Sequence, residues 1–499
     1  MGSAPDVSVM GILKEHCGVF GAYSHSGANV TPIIIKGLEA LQNRGQESFG
    51  ISVGDNPVYK KAGLVYYGYR EDKAKIDGIM GPSGIGHVRY STVGSSGDDK
   101  NFHPIQIESP TRIRIAHNGT ISNTSEMRAL LREDGIEVRE DATDTELAGH
   151  LLSKFFAEKG DWVSAFNRFE SVKNGSYCFV IQTPDGEIIA ARDSSGYRPL
   201  CYGRHDETDS FIVASESFAL DKVGATKLGD IRPGELVIVG EKGEEFHRFA
   251  EEEKRALCVF EFTYFAHPAS NIDGVPVATA RQKIGRELYR KFGLRGDVVV
   301  PVPESALHAA EGYSQESGIP LVHAMGKDRY SRRSVLRGFI QPYEREAIAE
   351  SMFVIPALVD GKHVVVIDDS IVRGTSSSAF IKALQDAGAK SISLLSTFPP
   401  IRSPCFMGID FPTSDELIAH RVAARDELDA VGAKVAKALG IEFVGYMDPL
   451  SLSRAIGLPV NSLCFSCVDG DYSKLNSVPQ IRSRAEIKGE EPITVLDEQ

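Results

Sequence analysis

The first half of the chain is dominated by short apolar runs that end in turn signals. The runs at 17–23 and 176–182 have the length and residue content of strands. Pro184-Asp185-Gly186 follows the second run and predicts a turn back into another strand at 187–191. Antiparallel pairing is therefore expected in this part of the molecule.

Two stretches between these strands show a helical pattern instead of an alternating one. Apolar residues recur every three or four positions at 123–132 and at 145–156. Asn123 and Thr143 stand at or just before the two starts, where their side chains commonly cap free backbone N–H groups. Together with the strands, these helices predict an α+β domain.

Strands and helices alternate in the second half of the chain. Continuous apolar runs at 297–302 and 363–368 predict buried strands, 391–397 is a further predicted strand, and the segments 304–315 and 375–387 predict helices. Strands separated by helices pair in parallel, with helices covering both faces of the sheet. This half is therefore predicted to be an α/β domain.

A charged run at 251–255, Glu-Glu-Glu-Lys-Arg, separates the two patterns. We place the domain boundary there, with one domain at 17–255 and a second at 256–470. Residues 471–499 are polar and of mixed charge, so an extended tail is expected. The length of 499 residues supports the division, because it exceeds what one hydrophobic core usually holds.

Composition narrows the class of protein. With 42% hydrophobic and 25% charged residues, the chain reads as soluble and globular. The net charge of -13 argues against general nucleic-acid binding, which needs a basic surface. No stretch approaches the roughly 20 apolar residues of a membrane span, and the N-terminus lacks a signal-peptide core. A cytoplasmic protein is expected, and its seven cysteines do not suggest a disulfide framework.

The segment 364–377 carries the strongest chemical signal. Its apolar strand ends in Asp368 and Asp369, at the strand end where open α/β sheets bind ligands. A Gly/Thr/Ser loop then opens a helix, whose first backbone N–H groups can hold a phosphate. Adjacent carboxylates suit a ribose diol or Mg²⁺. The alternative is an ordinary strand-turn-helix with two solvated aspartates.

The whole of 364–377 resembles the phosphoribosyl pyrophosphate signature of type I phosphoribosyltransferases. The resemblance implies that Asp368 and Asp369 contact the ribose hydroxyls, and that the following loop grips the 5′-phosphate. Pro303-Glu304-Ser305 resembles the pyrophosphate-side loop, which makes Ser305 a candidate Mg²⁺ contact; taken alone, Ser305 reads as a helix N-cap. The phosphoribosyl pyrophosphate-binding residues implied after the aspartates are Ser370, Arg373, Gly374, Thr375 and Ser376.

Cys17 begins the first predicted strand, after sixteen residues that look expendable. If this propeptide, 1–16, is removed, the thiol lies beside a free α-amine. An α-amine with an ordinary pKa near 8 can accept the thiol proton at neutral pH and so activate the nucleophile. The alternative is a buried hydrophobic cysteine.

Four downstream segments favour the interpretation of Cys17 as a nucleophile over that of a buried core cysteine. They are 43–50, 86–92, 117–120 and 143–146. With Cys17 they resemble the class II, N-terminal-nucleophile glutamine amidotransferases, whose fold is a four-layer αββα arrangement. The chemistry of glutamine agrees with the assignment, because it presents a carboxylate, an ammonium and an amide carbonyl. The expected contacts to these groups are Arg89 for the carboxylate, Asp144 for the ammonium, and Asn118 with Gly119 for the oxyanion hole.

Each of these residues also has an ordinary structural explanation. Arg89 could form a surface ion pair, Asp144 could cap a helix, and Asn118-Gly119 could form a type I′ turn. The joint pattern favours the functional assignment. His87 is interpreted as structural, because the α-amine already supplies the base.

From Cys17 to about Tyr472 the chain resembles the glutamine phosphoribosylpyrophosphate amidotransferases, the family that opens de novo purine synthesis. The resemblance implies that Cys17 forms a γ-glutamyl thioester and frees ammonia. Ammonia then travels inside the protein and displaces pyrophosphate from phosphoribosyl pyrophosphate, giving 5-phosphoribosylamine. Feedback inhibition by purine nucleotides and a homotetramer are implied too.

Four cysteines form a candidate metal site. Cys464 and Cys467 make a Cys-x-x-Cys pair, while Cys258 and Cys405 lie far apart in sequence. Four thiolates suit Zn²⁺ or a [4Fe–4S] cluster, and spacing alone does not choose between them. The family branch with a propeptide carries a [4Fe–4S] cluster at four matching positions, so the resemblance favours iron–sulfur. Cys178 and Cys201 are expected to be core thiols.

The segment 327–342 departs from the resemblance. It corresponds to the loop that closes over phosphoribosyl pyrophosphate, but 335–338 looks like an insertion, and 350–352 lacks the expected basic residue. Lys327 and Arg333 are the candidate pyrophosphate contacts. Either the loop closes in an altered register, which we favour, or the second domain binds its ligand weakly. A non-enzymatic phosphoribosyl pyrophosphate sensor and a glutaminase serving another phosphoribosyl acceptor are the competing functions.

Overall fold

The computed structural model divides the chain into an antiparallel domain followed by a parallel one. It describes residues 17–89, 99–251, 255–327, 352–409, 411, 413–473 and 475. The predicted propeptide, most of the loop at 327–342 with Arg333, and nearly all of the predicted tail lie outside the described residues. No helix in the described ranges has both the length and the apolar character needed to cross a membrane.

The first domain is built from antiparallel strands with helices between them. Its strands are β1 (Cys17–Ser24), β2 (Ser48–Val53), β3 (Tyr59–Ala62), β4 (Ser83–Arg89), β5 (Ile105–Ile107), β6 (Ile113–Ile121), β7 (Gly175–Gln182), β8 (Ile188–Arg192), β9 (Cys201–His205), β10 (Ser210–Ala214), β11 (Thr226–Asp230), β12 (Glu235–Gly240) and β13 (Gly243–Arg248). Its helices are α1 (Thr31–Ala40), α2 (Val65–Glu71), α3 (Lys73–Asp77), α4 (Thr124–Glu133), α5 (Asp144–Lys159), α6 (Trp162–Val172) and α7 (Ser217–Val223).

These strands form two sheets that face each other. One sheet has the order β11-β9-β10-β1-β4-β2-β3, and the other has the order β13-β12-β8-β7-β6-β5. Alternate side chains such as Val19, Ile85, Val180 and Val213 fill the space between the sheets. Helices α1 and α7 cover the outer face of the first sheet, and α4 to α6 cover the second. The predicted αββα layers are confirmed.

The second domain contains the predicted parallel sheet. Its strands are β14 (Leu257–Cys258), β15 (Asn271–Ile272), β16 (Val275–Pro276), β17 (Val298–Pro301), β18 (Met325–Lys327), β19 (Met352–Val354), β20 (His363–Asp368), β21 (Ser391–Ser396), β22 (Phe443–Tyr446) and β23 (Leu463–Cys464). Its helices are α8 (Val277–Phe292), α9 (Leu307–Ser317), α10 (Pro356–Val359), α11 (Thr375–Asp386), α12 (Ile418–Ala423), α13 (Leu428–Leu439), α14 (Pro449–Ile456) and α15 (Ser466–Asp469).

Helices cover both faces of this sheet, which has the order β17-β20-β21-β22. Helices α8, α9 and α14 lie over one face, and α11 to α13 lie over the other. Each strand is therefore apolar on both sides, which explains the continuous Val364-Val365-Val366-Ile367 run. All four strands point the same way, so their carboxyl ends share one edge of the sheet.

Two local predictions differ from the structure. The helix predicted at 304–315 begins only at Leu307, because Pro303 to Ala306 form the turn that leaves β17. Asn123 occupies the N-cap position of α4, but its side chain is bonded to Glu126, Val172 and Asn174 and caps no helical N–H. Thr143 does cap α5, since its hydroxyl accepts a hydrogen bond from the N–H of Glu146 at 3.2 Å.

Candidate active sites

Cys17 is the first residue of β1 and is fully buried. Strand β1 lies between β10 and β4, and Cys17 is paired directly with Arg89, the last residue of β4. The sequence places a nucleophile and a cationic fork at these two positions, and the antiparallel register brings them side by side. The candidate thiol and the candidate carboxylate ligand therefore belong to one site.

Asn118 and Gly119 lie inside β6, so the type I′ turn considered for them does not form. Gly119 has a φ of +150°, and a Cβ at this position would lie 2.3 Å from the carbonyl oxygen of Ser176. Only glycine fits there. Ser215 joins this strand to the nucleophile strand, because its hydroxyl accepts from the backbone N–H of Val19 at 3.0 Å and from Nδ2 of Asn118 at 3.4 Å.

Arg89 and Asp144, the predicted contacts to the carboxylate and ammonium of glutamine, are both held by buried neighbours. Arg89 is mostly buried, and its Nη1 lies 3.3 Å from Oε2 of the buried Glu47, so its ion pair is not a surface one. Asp144 is the first residue of α5, with Thr143 as the cap before it. The Asp144 carboxylate accepts from the backbone N–H of Ile121 at 3.0 Å, which ties the start of α5 to the end of β6.

Three buried histidines, His87, His103 and His117, lie at or near β6, the strand that carries Asn118 and Gly119. His87 donates through Nε2 to the carbonyl oxygen of His117 at 2.9 Å, immediately before Asn118. The ring of His117 contacts Thr145 Oγ1 at 2.9 Å through Nδ1. The His87 ring packs 4.3 Å, centroid to centroid, from that of His103. These contacts agree with the structural role predicted for His87.

His87 and His103 are expected to make stability depend on pH below their ordinary pKa of about 6.5. Burial lowers the pKa of both, to about 3 for His87. Unfolding lets them take up protons, so their contribution is complete above that ordinary pKa and is lost as the pH falls. Each should remove up to about 1.4 kcal/mol of unfolding free energy per pH unit. Urea unfolding followed across this range measures the slope.

The partly exposed His247 provides a control in the same domain. His103→Phe should flatten the dependence of the unfolding free energy on pH, whereas His247→Ala should leave it as steep as in the unaltered protein. Equal slopes in the two variants would contradict the assignment.

Asp368 and Asp369 lie where predicted, at the carboxyl end of β20. Both are mostly buried. The hydroxyl of Ser305 donates to Oδ2 of Asp369, and the hydroxyl of Ser370 donates to Oδ1 of the same carboxylate at 2.9 Å. Ser305 is therefore not the N-cap of α9, which is Ala306. The structure brings two of the three predicted Mg²⁺ ligands, Ser305 and Asp369, into contact, and Asp368 stands next to them at the end of β20.

The loop after the aspartates opens α11 as predicted, with Gly374 at its N-cap and Thr375 as its first residue. Gly374 has a φ of +83°, and a Cβ would lie 2.6 Å from Ile418. Arg373 pairs with Glu416, with Nε 2.6 Å from Oε2. Its predicted phosphate contact stays a prediction, as do those of Gly374, Thr375 and Ser376, whose backbone opens the helix.

The four candidate metal-binding cysteines are neighbours in the second domain. Cys258 and Cys464 are paired across the parallel strands β14 and β23. The carbonyl oxygen of Cys467 accepts from the N–H groups of Arg402 and Ser403 at 2.9 and 3.0 Å, which holds α15 against the loop that carries Cys405. Residues separated by about two hundred positions thus meet in one place.

Burial, with a smaller contribution from the nearby Cys464, raises the pKa of the Cys405 thiol to about 11. Burial and the other three thiols likewise raise the pKa of Cys467 well above its ordinary value. Within the described part of the chain, no three His, Cys, Asp or Glu side chains are arranged to hold a metal ion. The four thiols are therefore the right ligand type and number for a metal site, but their side chains are not in the positions that would hold a metal ion.

The other cysteines agree with their predicted place in the core. Cys178 and Cys201 are buried in the first domain, where their thiols lie near backbone carbonyl oxygens. All seven cysteines are among the described residues, and none forms a disulfide.

Sequence reasoning missed three residues that complete these sites. Ser215 bridges β1 and β6 through Val19 and Asn118, Glu47 pairs with Arg89, and Glu416 pairs with Arg373. Glu47 lies inside the 43–50 segment and could have been singled out as its buried acid. Ser215 and Glu416 carry no local signal, because their partners are distant in sequence.

Comparison with known proteins agrees with this arrangement. A glutamine amidotransferase domain model matches residues 87–222. The amidophosphoribosyltransferase of Methanothermobacter thermautotrophicus is 39% identical over 468 residues, which cover 92% of this chain and 95% of the relative. That of Bacillus subtilis is 35% identical and covers 92% and 94%.

Two solved structures extend the likeness to three dimensions. The glutamine phosphoribosylpyrophosphate amidotransferase of B. subtilis, complexed with ADP and GMP, has a TM-score of 0.80 at 32% identity and covers 93% of this chain and 99% of that one. A structure described as the allosteric regulatory enzyme of purine biosynthesis has a TM-score of 0.81 at 33% identity, covering 96% and 100%. The chain belongs to the amidophosphoribosyltransferase family.

Proposed function

We propose that the chain hydrolyses glutamine at Cys17 and transfers the ammonia to phosphoribosyl pyrophosphate, as the first step of purine synthesis. The observation that carries the proposal is the presence of both predicted groups of site residues on one chain. Cys17 is paired with Arg89 in the first domain, and Asp368 and Asp369 end the central strand of the second. Relatives that carry this activity in their name match over nearly their whole length.

In the first step the Cys17 thiolate attacks the amide carbonyl carbon of glutamine. Nδ2 of Asn118 and the backbone N–H of Gly119 donate to the oxyanion that forms, a contribution of a few kcal/mol (about 3) to barrier lowering. Collapse of the intermediate breaks the C–N bond, the leaving nitrogen takes a proton, and ammonia departs. Water then hydrolyses the thioester to glutamate. Arg89 and Asp144 hold the carboxylate and ammonium of the substrate.

In the second step the ammonia nitrogen attacks C1 of the ribose, and the C1–O bond to pyrophosphate breaks. Asp368 and Asp369 bind the ribose hydroxyls, while the loop at 370–376 binds the 5′-phosphate. Mg²⁺ would be held by Asp368, Asp369 and Ser305, and it would neutralise the departing pyrophosphate. Two carboxylates suffice for this ion, because Mg²⁺ usually completes its shell with water and substrate phosphates.

An assay of the purified protein tests the proposal. Glutamate and pyrophosphate should form in equal amounts when glutamine, phosphoribosyl pyrophosphate and Mg²⁺ are all present, with 5-phosphoribosylamine as the other product. Omission of phosphoribosyl pyrophosphate should stop pyrophosphate release. Intact mass of the active protein should correspond to a chain that begins at Cys17, and an active chain that retains residues 1–16 would rule out the α-amine mechanism.

We further propose that Cys258, Cys405, Cys464 and Cys467 bind a [4Fe–4S] cluster, with Zn²⁺ as the alternative. Four thiolates are the donor set of such a cluster, and bound metal would stabilise the thiolate forms that burial disfavours at Cys405 and Cys467. When bound, the cluster would tie the C-terminal segment to the second domain and would make the protein sensitive to oxygen. Its role here is structural.

Loss of one ligand should release the metal. Cys464→Ser, prepared without oxygen, should lose the iron and the broad visible absorbance expected of the unaltered protein, and its melting temperature should fall, because binding energy is folding energy in such sites. Cys201→Ser, which changes a buried thiol of the first domain, should keep both. Zinc without iron in the unaltered protein would show that the cluster assignment is wrong.

We also propose that purine nucleotides inhibit the enzyme, that it assembles as a homotetramer and that it is cytoplasmic. The first of these is supported by the B. subtilis relative, whose structure is a complex with ADP and GMP, and the tetramer rests on the family resemblance alone. Nucleotide titration of the rate and the mass of the assembly in solution test the first two proposals.

A further inference from the structure

Two arginines and two glutamates form a buried group where the two domains meet. Nε of Arg44 lies 2.5 Å from Oε1 of Glu216, both in the first domain. The guanidinium of Arg44 also forms a two-point pair with Glu261 of the second domain. Nη1 of Arg198 donates to the same Glu261 carboxylate at 3.3 Å. We call Arg44, Arg198, Glu216 and Glu261 the interdomain charge network.

The network is charge-balanced and closed to solvent. None of its side chains is more than 3% exposed. Burial alone would raise the pKa of Glu216, but the charge of Arg44 lowers it overall, which keeps the carboxylate ionised. The other oxygen of Glu216 accepts from the N–H of His267 and the hydroxyl of Ser270, both at 2.7 Å. A buried charge without these partners would be costly, so the network fixes how the segments that carry it lie.

On the side of the first domain, Arg44 anchors the segment that packs under Arg89. A Cβ on Gly45 would come within 2.7 Å of the backbone of Arg89, so the two backbones are in direct contact. The N–H of Glu47 donates to the carbonyl oxygen of Arg89 at 2.9 Å, and its carboxylate pairs with the Arg89 guanidinium. The position of Arg89 therefore depends on residues 44–47.

On the side of the second domain, Glu261 begins a short π-helical turn, Glu261–Phe265. Arg281 holds this turn by donating to the carbonyl oxygens of Phe262 at 2.7 Å and of Tyr264 at 3.1 Å. Burial lowers the pKa of Arg281, and the negative charge of Asp369 partly offsets that lowering. The turn thus connects the phosphoribosyl edge of the sheet to the charge network.

We propose that Glu261 is a positioning residue: through Arg44 it sets Arg89 for the carboxylate of glutamine, so that the second domain completes the glutamine site of the first. This inference rests on the proposed function. Removal of the Glu261 charge should loosen residues 44–47 and weaken glutamine binding. Synthesis from ammonia supplied in solution should continue, because it does not use the glutamine site.

A second interdomain ion pair provides a matched control. Asp273 of the second domain binds Arg192 of the first through two contacts of 3.0 Å and is also buried. Glu261→Gln and Asp273→Asn each remove one buried carboxylate between the domains. Of these two carboxylates, only that of Glu261 contacts Arg44 and is linked through residues 44–47 to Arg89.

The variants are compared as full-length protein at saturating phosphoribosyl pyrophosphate. Glu261→Gln should raise the KM for glutamine about tenfold or more, within the usual range of coupling between sites. Its ammonia-dependent rate should stay within about twofold of the unaltered protein. Asp273→Asn should leave both quantities within the same limits. A glutamine-analogue label of Cys17, followed by intact mass, should bind more weakly to Glu261→Gln at an unchanged maximal rate of labelling.

The proposal is overturned if Glu261→Gln has an unchanged KM, if both variants raise it equally, or if glutamine and ammonia activities fall together. If Glu261→Gln does not fold, Arg44→Lys replaces it, since lysine keeps the charge and loses the two-point contact; an unchanged KM there also overturns the proposal. The activity of the unaltered protein tests the proposed function. The KM for glutamine of Glu261→Gln, compared with that of Asp273→Asn, tests the role of Glu261.

Discussion

Cys17→Ala is expected to abolish glutamine-dependent synthesis while ammonia-dependent synthesis continues. The substitution removes the only atom that can form the thioester, and the remaining contacts of Arg89, Asn118 and Gly119 bind substrate without a nucleophile. A loss of at least about 10³-fold in kcat is expected, because nucleophiles of this kind are not replaced by their neighbours. Measurement of glutamate, and of pyrophosphate with each nitrogen source, separates the two steps.

Cys178→Ala is the matched control. The thiol of Cys178 is also fully buried in the first domain, and the residue lies on β7, paired with Asn118 of β6. This variant should retain glutamine-dependent synthesis within a few-fold (about threefold) of the unaltered protein. Glutamate formation by Cys17→Ala at an undiminished rate would mean that another group attacks glutamine. Equal losses in both variants would mean that packing, and not nucleophilic chemistry, causes the effect.

The parts of this molecule that could be predicted are those with local signals. The run at 363–368 is apolar on both faces and ends in two carboxylates, so its pattern alone predicts a buried parallel strand with a ligand site at its end. The strand that begins at Cys17 and the cap at Thr143 follow from equally local rules. Local pattern therefore predicts an α+β and an α/β domain, whereas the αββα layers and the roles of Arg89, Asn118, Gly119 and Asp144 came from a resemblance over several segments.

The contacts that the sequence did not predict join residues far apart in the chain. Ser215 meets Asn118 across 97 positions, and Arg44 meets Glu261 across 217. The sequence around an isolated serine or glutamate contains no periodic pattern or motif from which its partner could be identified. Glu416 likewise pairs with Arg373 across 43 positions without any mark in its own surroundings. These pairings depend on how the elements pack, which only the folded structure provides.

Asp369→Asn is expected to abolish synthesis from both nitrogen sources while glutamine hydrolysis at Cys17 continues. The variant removes a carboxylate from the edge where Ser305 and Ser370 converge, and Mg²⁺ prefers charged oxygen ligands. Loss of this charge should reduce pyrophosphate release by at least about 10²-fold, as for other groups that stabilise developing charge. Pyrophosphate release from ammonia, and glutamate release without synthesis, measure the two effects.

Asp297 provides the control at the opposite end of the same sheet. It is exposed and accepts a hydrogen bond from the N–H of His363, the first residue of β20, at 2.8 Å. Asp297→Asn removes an identical charge where ligands do not bind in such sheets, so synthesis should be retained. Asparagine keeps the size of the side chain and an oxygen that can accept from Ser305 or Ser370, so Asp369→Asn should stay folded and retain glutamine hydrolysis. A variant that melts earlier and loses both activities would place Asp369 in the fold instead of the site.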